Sequence, residues 1–336
     1  MPPGSLTGWI IPARLPVMQR FTHGVGGRTV PVAATFGLAA VTALAACSAA
    51  PHLSPASAAG AAAPAPTATP STAAATTDST EAFAQLAARY QAELGVYAVN
   101  TGTGRTVTFQ ADRRFAFCST VKALAAADLL RRDTDAQLGR TVTYTAADLV
   151  DYSPVTSQHV AGGLSLTAVM TAAMEVSDNT ALNLMLDQLG GPSALQSALR
   201  GLGDDTTNVD RTEPTVNSAL PGDVRDTSTP RALAEDLRAF VLGDLLTAPR
   251  RALLTSWLKA NTTGGPYIRA GVPTGWTVGD KTGNGDYGTR NDIAVVWPTQ
   301  GAPIVIAVLS HRGSADASSD DALIADATRL ALRQLG

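Results

Sequence analysis

Histidine is scarce in this chain and scattered: His23, His52, His159 and His311 are the only four, and no two stand at ligand spacing. Two of them precede the part that reads as folded, so a histidine-held catalytic metal is excluded. Cysteine is scarcer still, with Cys47 and Cys118 alone. Charge of one sign is also lacking: 25 basic residues face 28 acidic ones, for a net charge of −3. Such a balance offers no basic surface for nucleic acid. There is no internal repeat, and no second apolar run long enough to span a bilayer beyond one short stretch near the start. The folded part must therefore hold together by its core, which 45% apolar residues make feasible over a domain this long.

Before that domain come two segments of different composition. Met18 to Arg28 is weakly basic through Arg20 and Arg28, and Val30 to Ala46 is apolar and built of small residues. This is the layout of an export signal, too short and too alanine-rich for a membrane span. It ends in Leu44-Ala45-Ala46-Cys47, which resembles a bacterial lipoprotein box, in which the cysteine becomes the lipidated first residue. The alternative is an ordinary signal cut after a small residue, and Met18 offers a second start. From Ser48 to about Thr80 the chain is Ala, Pro, Ser and Thr with little to bury, the composition of a flexible tether. The expected organisation is residues 1–46 as a lipoprotein-type signal, 47–79 as linker and 80–336 as the folded domain. If lipid consumes Cys47, Cys118 has no intramolecular partner.

Within the domain, Glu81–Glu93 has helical spacing, and Val96–Val99 and Arg105–Gln110 read as strands around a Gly-rich turn. Helical patterns dominate from Ser119 to about Lys259, most clearly Thr120–Arg132, Leu166–Met174, Thr180–Leu189, Pro192–Gly201 and Pro230–Leu242. Strands return at Trp276–Lys281, Thr289–Trp297 and Pro303–Ser310, before a final amphipathic helix over Asp320–Leu335. Strands at both ends with helices between predict an α/β lobe plus an all-α lobe: a five-stranded antiparallel sheet flanked by helices, with a helical lobe inserted into it. The sheet lobe would take residues 80–112 and 260–336, and the helical lobe 113–259. A cleft between them is the default place for a site.

Four short strings carry the chemistry. In Ser119-Thr120-Val121-Lys122 the serine and lysine are three apart at the start of an Ala/Leu-rich helix, on one face. A serine hydroxyl needs a proton acceptor to become a nucleophile, and a helix N-terminus supplies positive potential where an oxyanion would form. Taken alone the string would equally be a cap and a solvated lysine. Ser177-Asp178-Asn179 lies just ahead of a helix, where Asp178 reads as its N-cap. Glu213 and Asn217 fall in 210–226, a stretch with little secondary-structure signal, and long structureless segments inside a compact domain are often functional. Lys281-Thr282-Gly283 follows a strand pattern, and a lysine about 4 Å from a carboxylate gains on the order of 4 kcal/mol before desolvation.

Any one string is weak, but together and in this order they resemble the class A serine β-lactamases over roughly Glu81 to Leu335. The resemblance implies the β-lactamase/transpeptidase-like fold, with the active site in the cleft between the lobes. It also implies hydrolysis of penicillins and cephalosporins through a serine acyl-enzyme, and with it antibiotic resistance. Ser119 would be the nucleophile, and Lys122, Ser177 and Glu213 would move protons. Either Lys122 or Glu213 would take the serine proton in the first step. Glu213, with Asn217, would activate the water that hydrolyses the acyl-enzyme. Asn179, Lys281, Thr282, Gly283 and Arg290 would hold substrate, and Tyr152 would form an aromatic wall at the cleft mouth. The backbone N–H groups of Ser119 and Asn284 would form the oxyanion hole. Residues 210–226 would be the family's Ω loop, its neck closed by Arg211 and Asp226 and its body braced by Asn183. No metal or organic cofactor is implied. The chain would act as a monomer, exported and lipid-anchored to the outer face of the cytoplasmic membrane through Cys47, or secreted.

Two positions depart from the family pattern. Asn284 is bulkier than the Ser, Thr, Ala or Gly expected after Lys-Thr-Gly, which bears on substrate preference. Cys118 precedes the nucleophile as in carbapenem-hydrolysing members, but Gly285 stands where their second cysteine would be, so a buried free thiol is expected. The nearest rival activity is a D-alanyl-D-alanine peptidase, which shares acylation but lacks a carboxylate such as Glu213 to discharge the acyl-enzyme. A catalytically dead sensor that stays acylated is a third reading.

Overall fold

Five strands supply the frame on which everything else is hung. The structure, a computed structural model, describes residues 73–336, with side chains from Thr80 onward. The signal segment, Cys47 and most of the expected tether lie outside the described residues. Helix α1 (Ala73–Arg89) begins inside the stretch whose composition suggested tether. It ends before Glu93, because Gln91 takes a left-handed φ of 49° and turns the chain out of the helix. Glu93 then opens strand β1 (Glu93–Asn100), facing His311 across the sheet.

Strand β2 (Thr106–Phe109) folds back on β1. The two-residue strand β3 (Phe115–Ala116) leads to α2 (Val121–Arg132), followed by the short α3 (Asp135–Gly139) and β4 (Thr141–Val142). After β5 (Leu164–Ser165) come α4 (Leu166–Glu175), α5 (Asn179–Leu189) and α6 (Pro192–Gly201). Gly190, with φ of 97°, caps α5, and Pro192 starts α6. A long irregular stretch ends in β6 (Thr227–Ser228), which pairs with β3, and then come α7 (Pro230–Leu242), α8 (Ala248–Ala260) and α9 (Ile268–Gly271). Strands β7 (Thr277–Gly285), β8 (Thr289–Trp297) and β9 (Ile304–His311) and helix α10 (Ala322–Leu335) complete the chain.

The five long strands form one antiparallel sheet in the order β2-β1-β9-β8-β7, as the sequence predicts. Both faces are covered, and alternate side chains divide between two cores. On β9, Ile304, Ile306 and Val308 join Phe83, Leu94 and Ile324 from α1, β1 and α10. Val305, Ala307 and Leu309 join the opposite core, with Leu233 and Phe240 of α7. This two-sided burial is why the central part of β1, β8 and β9 reads as a continuous apolar run rather than as clean alternation, while the edge strand β2 keeps alternation. Helix α2 is buried on all sides from Val121 to Leu130, Lys122 and Asp128 included. A helix apolar all round belongs at the centre of its bundle. A lysine at its first turn therefore needs a specific reason to be there.

Strand β7 is the edge of the sheet, so one side of its backbone is free of β8. It runs on past Lys281, where the sequence pattern stopped, through the whole Lys-Thr-Gly string to Gly285, in register with Thr289–Trp297. The functional string thus lies within a regular strand rather than at its end. The short strands and α3 went unread because two to five residues cannot carry a period.

Candidate active site

The turn before α2 is held from three sides. Cys118–Thr120 form a single 3-10 turn, with Cys118 at φ 50°. Asn291 of β8, fully buried, donates through Nδ2 to the carbonyls of Ala116 (2.7 Å) and Phe117 (3.2 Å). The Phe117 N–H donates to the carbonyl of Asp226 at 3.1 Å. On the open side, Gly283 of β7 lies so close that a Cβ there would come within 2.7 Å of the Phe117 carbonyl. Gly285 sits equally tight: a Cβ would meet Cys118 Sγ and the Asn217 carbonyl, each at 2.6 Å. These two glycines let the edge strand press onto the serine's turn. Cys118 is a free, buried thiol, as expected, and burial pushes its pKa far up, so it stays a neutral packing group.

Lys122 explains itself through its contacts. Its Nζ donates to Ser119 Oγ (2.7 Å), Asn179 Oδ1 (2.7 Å) and the Ser177 carbonyl (2.9 Å), with Ser177 Oγ at 3.3 Å. It also pairs with Glu213 Oε1 at 3.0 Å, both side chains being fully buried. Desolvation lowers the lysine's pKa, and the Glu213 carboxylate works against that shift. Lys281, also fully buried, donates to Ser177 Oγ (2.9 Å) and the Thr282 carbonyl (2.9 Å). Burial first, and the charge of Lys122 second, bring its pKa down to about 7. The Ser177 hydroxyl thus bridges two ammonium groups. Its accepting capacity is filled from behind, which leaves its own proton free to point outward.

Ser177 takes a left-handed φ of 59°, an uncommon conformation for a serine. Asp178 fixes it there: its carboxylate caps α5 through the Ala181 N–H (2.9 Å) and accepts from the N–H groups of Val155 (3.0 Å) and Thr156 (2.9 Å) and from Thr156 Oγ1 (2.8 Å). The cap and the loop anchor are one carboxylate. Asn179 donates to the Asp151 carbonyl at 2.9 Å while accepting from Lys122.

The 210–226 stretch is closed at its neck by Asp226. Its Oδ1 accepts from the N–H groups of Asp210 and Arg211 (2.9 Å each), and its Oδ2 pairs with the Arg211 guanidinium. Asn183 of α5 clamps Glu213 by both backbone groups, accepting from its N–H (2.8 Å) and donating to its carbonyl (3.1 Å). Glu213, 3% exposed, receives Asn217 Nδ2 on its second oxygen. Asn217 Oδ1 is buried and has no hydrogen-bond partner among the described residues.

The cleft itself encloses about 230 Å³ and is lined by Ser119, Tyr152, Ser177, Asn179, Asn217, Thr263, Thr282 and Asn284. Of the twelve residues singled out from the sequence, seven are on this surface. Lys122, Glu213 and Lys281 are buried directly behind it, and Gly283 presses on the serine's turn beside it. Tyr152, 60% exposed with φ of 60°, stands at the surface end. Arg290 does not line the cleft: its guanidinium pairs with Asp321 (2.9 Å) and donates to the Thr289 carbonyl (2.9 Å).

Several contributors had no sequence signal. Thr263, between α8 and α9, meets the Thr282 hydroxyl. Tyr267 donates to Asn284 Oδ1 at 2.8 Å. Beneath Lys281, Asp280 receives Arg269 Nε (2.6 Å) and Asn261 Nδ2 (2.7 Å). All of these arrive by tertiary contact from residues that form no recognisable string.

Comparison with known proteins places this geometry in company. The β-lactamase enzyme family matches residues 78–335. A β-lactamase of Amycolatopsis lactamdurans is 58% identical over 254 residues, covering 76% of this chain and 84% of that protein. One from Bacillus licheniformis is 50% identical over 259 residues, covering 77% and 84%. Among solved structures, a class A β-lactamase from Clostridium kluyveri superposes with a TM-score of 0.75 at 46% identity, covering 76% of this chain and 98% of that one. The β-lactamase from Streptomyces albus G gives 0.75 at 47%, covering 77% and 100%.

Proposed function

The chain belongs to the class A β-lactamases, and from that premise we propose a division of labour among its site residues. The protein hydrolyses the amide of the β-lactam ring and so confers resistance to β-lactam antibiotics. Ser119 attacks the lactam carbonyl, and its proton passes into the Lys122–Glu213 pair. The ring carbonyl oxygen, as it becomes an oxyanion, is received by the backbone N–H groups of Ser119 and Asn284. Losing one such donor typically costs roughly 3–4 kcal/mol in the transition state. Ser177 delivers a proton to the lactam nitrogen. Its hydroxyl, held from behind by Lys122 and Lys281, is supported in that role by having only its own proton to offer. The charge of Lys281 draws the carboxylate of the fused ring, and Asn179 and Thr282 hold the rest of the substrate against the wall that Tyr152 completes.

Deacylation falls to Glu213. Its carboxylate is tied on one side to Lys122 and on the other to Asn217. The unpartnered Asn217 Oδ1 beside it is an acceptor suited to a water proton. The single observation that carries the mechanism is this chain of contacts, Ser119 Oγ to Lys122 Nζ to Glu213, with every member buried. It gives the nucleophile a route for its proton and gives the acyl-enzyme a base. A peptidase would need only the first half.

The same reading takes residues 210–226 as the Ω loop and 80–336 as the catalytic domain, reached through the signal at 1–46 and the tether at 47–79. The chain is exported, and either held at the membrane by lipid on Cys47 or secreted. No helix among the described residues is long and apolar enough to cross a membrane. Action as a monomer belongs to the same reading. The function is tested by turnover of a chromogenic cephalosporin beside a Ser119→Ala variant. The parent is expected to hydrolyse it, with kcat reduced by about 10⁴-fold or more in the variant. A Ser119→Ala protein that keeps parent-like turnover would remove the serine from the mechanism.

A further inference from the structure

Helices α1 and α10 lie together on one side of the sheet, and three guanidinium groups rim the groove between them. Arg89 of α1 and Arg329 and Arg333 of α10 line a cavity of about 400 Å³, floored by Leu86 and Leu330. Asp326 is the one acid in this lining. It pairs with Arg89, accepts from Arg329 at 2.6 Å and accepts from the Tyr90 hydroxyl at 2.9 Å. Arg329 places its other terminal nitrogen on the Ala270 carbonyl at 2.6 Å. Arg333 makes no hydrogen bond or ion pair among the described residues. The remaining acid among the described side chains of the two helices, Glu81, is engaged by Gln85 at 3.1 Å. In a chain of net charge −3, this groove therefore carries three positive charges against one negative, and one of its cations is unengaged.

The lining selects the chemistry of a partner. Guanidinium forks match phosphate oxygens in geometry and charge. Beneath them the floor is aliphatic, because Leu86 is buried and Leu330 packs against the same core. A phosphate that carries hydrocarbon beside it meets both parts. No aromatic ring lines the groove, so it offers a nucleobase nothing to stack on. Connectivity points to the same partner. Helix α1 is the first described element after Cys47 and the Ala/Pro/Ser/Thr stretch, so lipid on Cys47 would bring a membrane to the helix that forms one wall. The cleft is clear of this face. Helices α1 and α10 pack in the core of Phe83 and Ile324, whereas α2, which follows Ser119, packs in the core on the other face of the sheet.

We propose that the groove between α1 and α10 is a docking site for the headgroups of anionic phospholipid, with Arg89, Arg329 and Arg333 on the lipid phosphate and the cleft on the far side of the sheet from the membrane. This goes beyond hydrolysis and does not depend on it. Anchoring at Cys47 explains only what brings the membrane near, and the contact itself requires no attached lipid.

The test uses the full chain carrying Cys47→Ala, so that no lipid is attached, and measures its partition onto vesicles of phosphatidylglycerol and of phosphatidylcholine at low and high salt. Residues before the domain are common to every variant, so differences between variants report the groove. A basic residue at an anionic surface contributes about 5-fold in binding. Arg333→Gln is expected to lower binding to phosphatidylglycerol vesicles by about 5-fold at low salt, and Arg333→Glu by about 10- to 30-fold. Binding to phosphatidylcholine should not change, and the differences should shrink at high salt. Arg140→Glu makes the same change in net charge on an exposed residue outside the groove, and it is expected to stay within about 2-fold of the parent. Melting temperature and cephalosporin turnover should match the parent in every variant, which shows each to be folded. Equal losses in Arg333→Glu and Arg140→Glu would reduce the effect to net charge and overturn the proposal. So would a parent with no preference for phosphatidylglycerol, or an Arg333→Glu chain that binds as the parent does. Thermal stabilisation by inorganic phosphate without any vesicle preference would identify a free-anion site instead, and would overturn it too.

Discussion

A Glu213→Gln enzyme is expected to consume one equivalent of a cephalosporin and then stop. Glutamine keeps the shape of the side chain and can still meet Asn217, but it cannot take a proton from water. The change also strips Lys122 of its buried counter-charge at 3.0 Å. An unpaired ammonium in a dry site loses its proton more readily, so more of the lysine is left in the neutral form that can accept the serine proton. Acylation therefore survives while deacylation fails. Steady-state kcat should fall by about 10²- to 10⁴-fold, the usual range for a lost general base, with a mass increment of one acyl group persisting on the protein. Turnover at the parent rate, with no adduct, would take Glu213 out of deacylation.

Asp236→Asn is expected to stabilise the protein, and more so as pH rises. Asp236, on α7, is 8% exposed, and its Oδ2 has no donor; the same holds for Oδ2 of Asp204. Burial, then the charge of Asp204 and a hydrogen bond to it, then Glu235, push the Asp236 pKa up to about 9, with Arg200 opposing. Between about pH 4 and 9 the folded protein thus keeps a proton that the unfolded chain has released. Stability is fullest below pH 4, declines as pH rises towards 9, and levels off above it. At pH 7 the cost is at most about 4 kcal/mol, three pH units at 1.36 kcal/mol each. Asparagine supplies a permanent donor to Asp204 without that cost. The variant should gain about 2–4 kcal/mol at pH 8, roughly 4–12 °C in Tm, with the gain vanishing near pH 4 and turnover unaffected. Thermal melts across that range decide it: a gain independent of pH, or a loss at pH 8, would contradict the account of the pair.

How much of this was legible in the sequence depended on how local each cause is. Helices α5, α6 and α7 announce themselves by period, with Asp178 as a cap for α5, and Pro192 and Pro230 stand where the structure begins α6 and α7. The Ser-x-x-Lys spacing puts Ser119 and Lys122 in contact because a helix turn does so wherever it occurs. Glu213 and Asn217 are four apart in a tight turn, and they meet for the same local reason. Thr263, Tyr267 and Asn291 could not be read this way. Each reaches the site across the sheet or from a connecting segment, and nothing in its own neighbourhood distinguishes it. Arg290 shows the converse. Its position on β8 was read correctly, but its guanidinium is claimed by Asp321, from a segment 31 residues on. Motifs report what a residue can do, while the tertiary partners decide where its side chain is held.

The central claim is that Ser119 forms an acyl-enzyme that this protein itself discharges. Intact-protein mass, recorded through a single turnover with a slow cephalosporin and followed by peptide mapping, tests it most directly. The account predicts an adduct on the Ser119 peptide that rises and then decays to the native mass as hydrolysed product accumulates. An adduct that forms on Ser119 and never decays would contradict it and identify a protein that β-lactams acylate but do not leave.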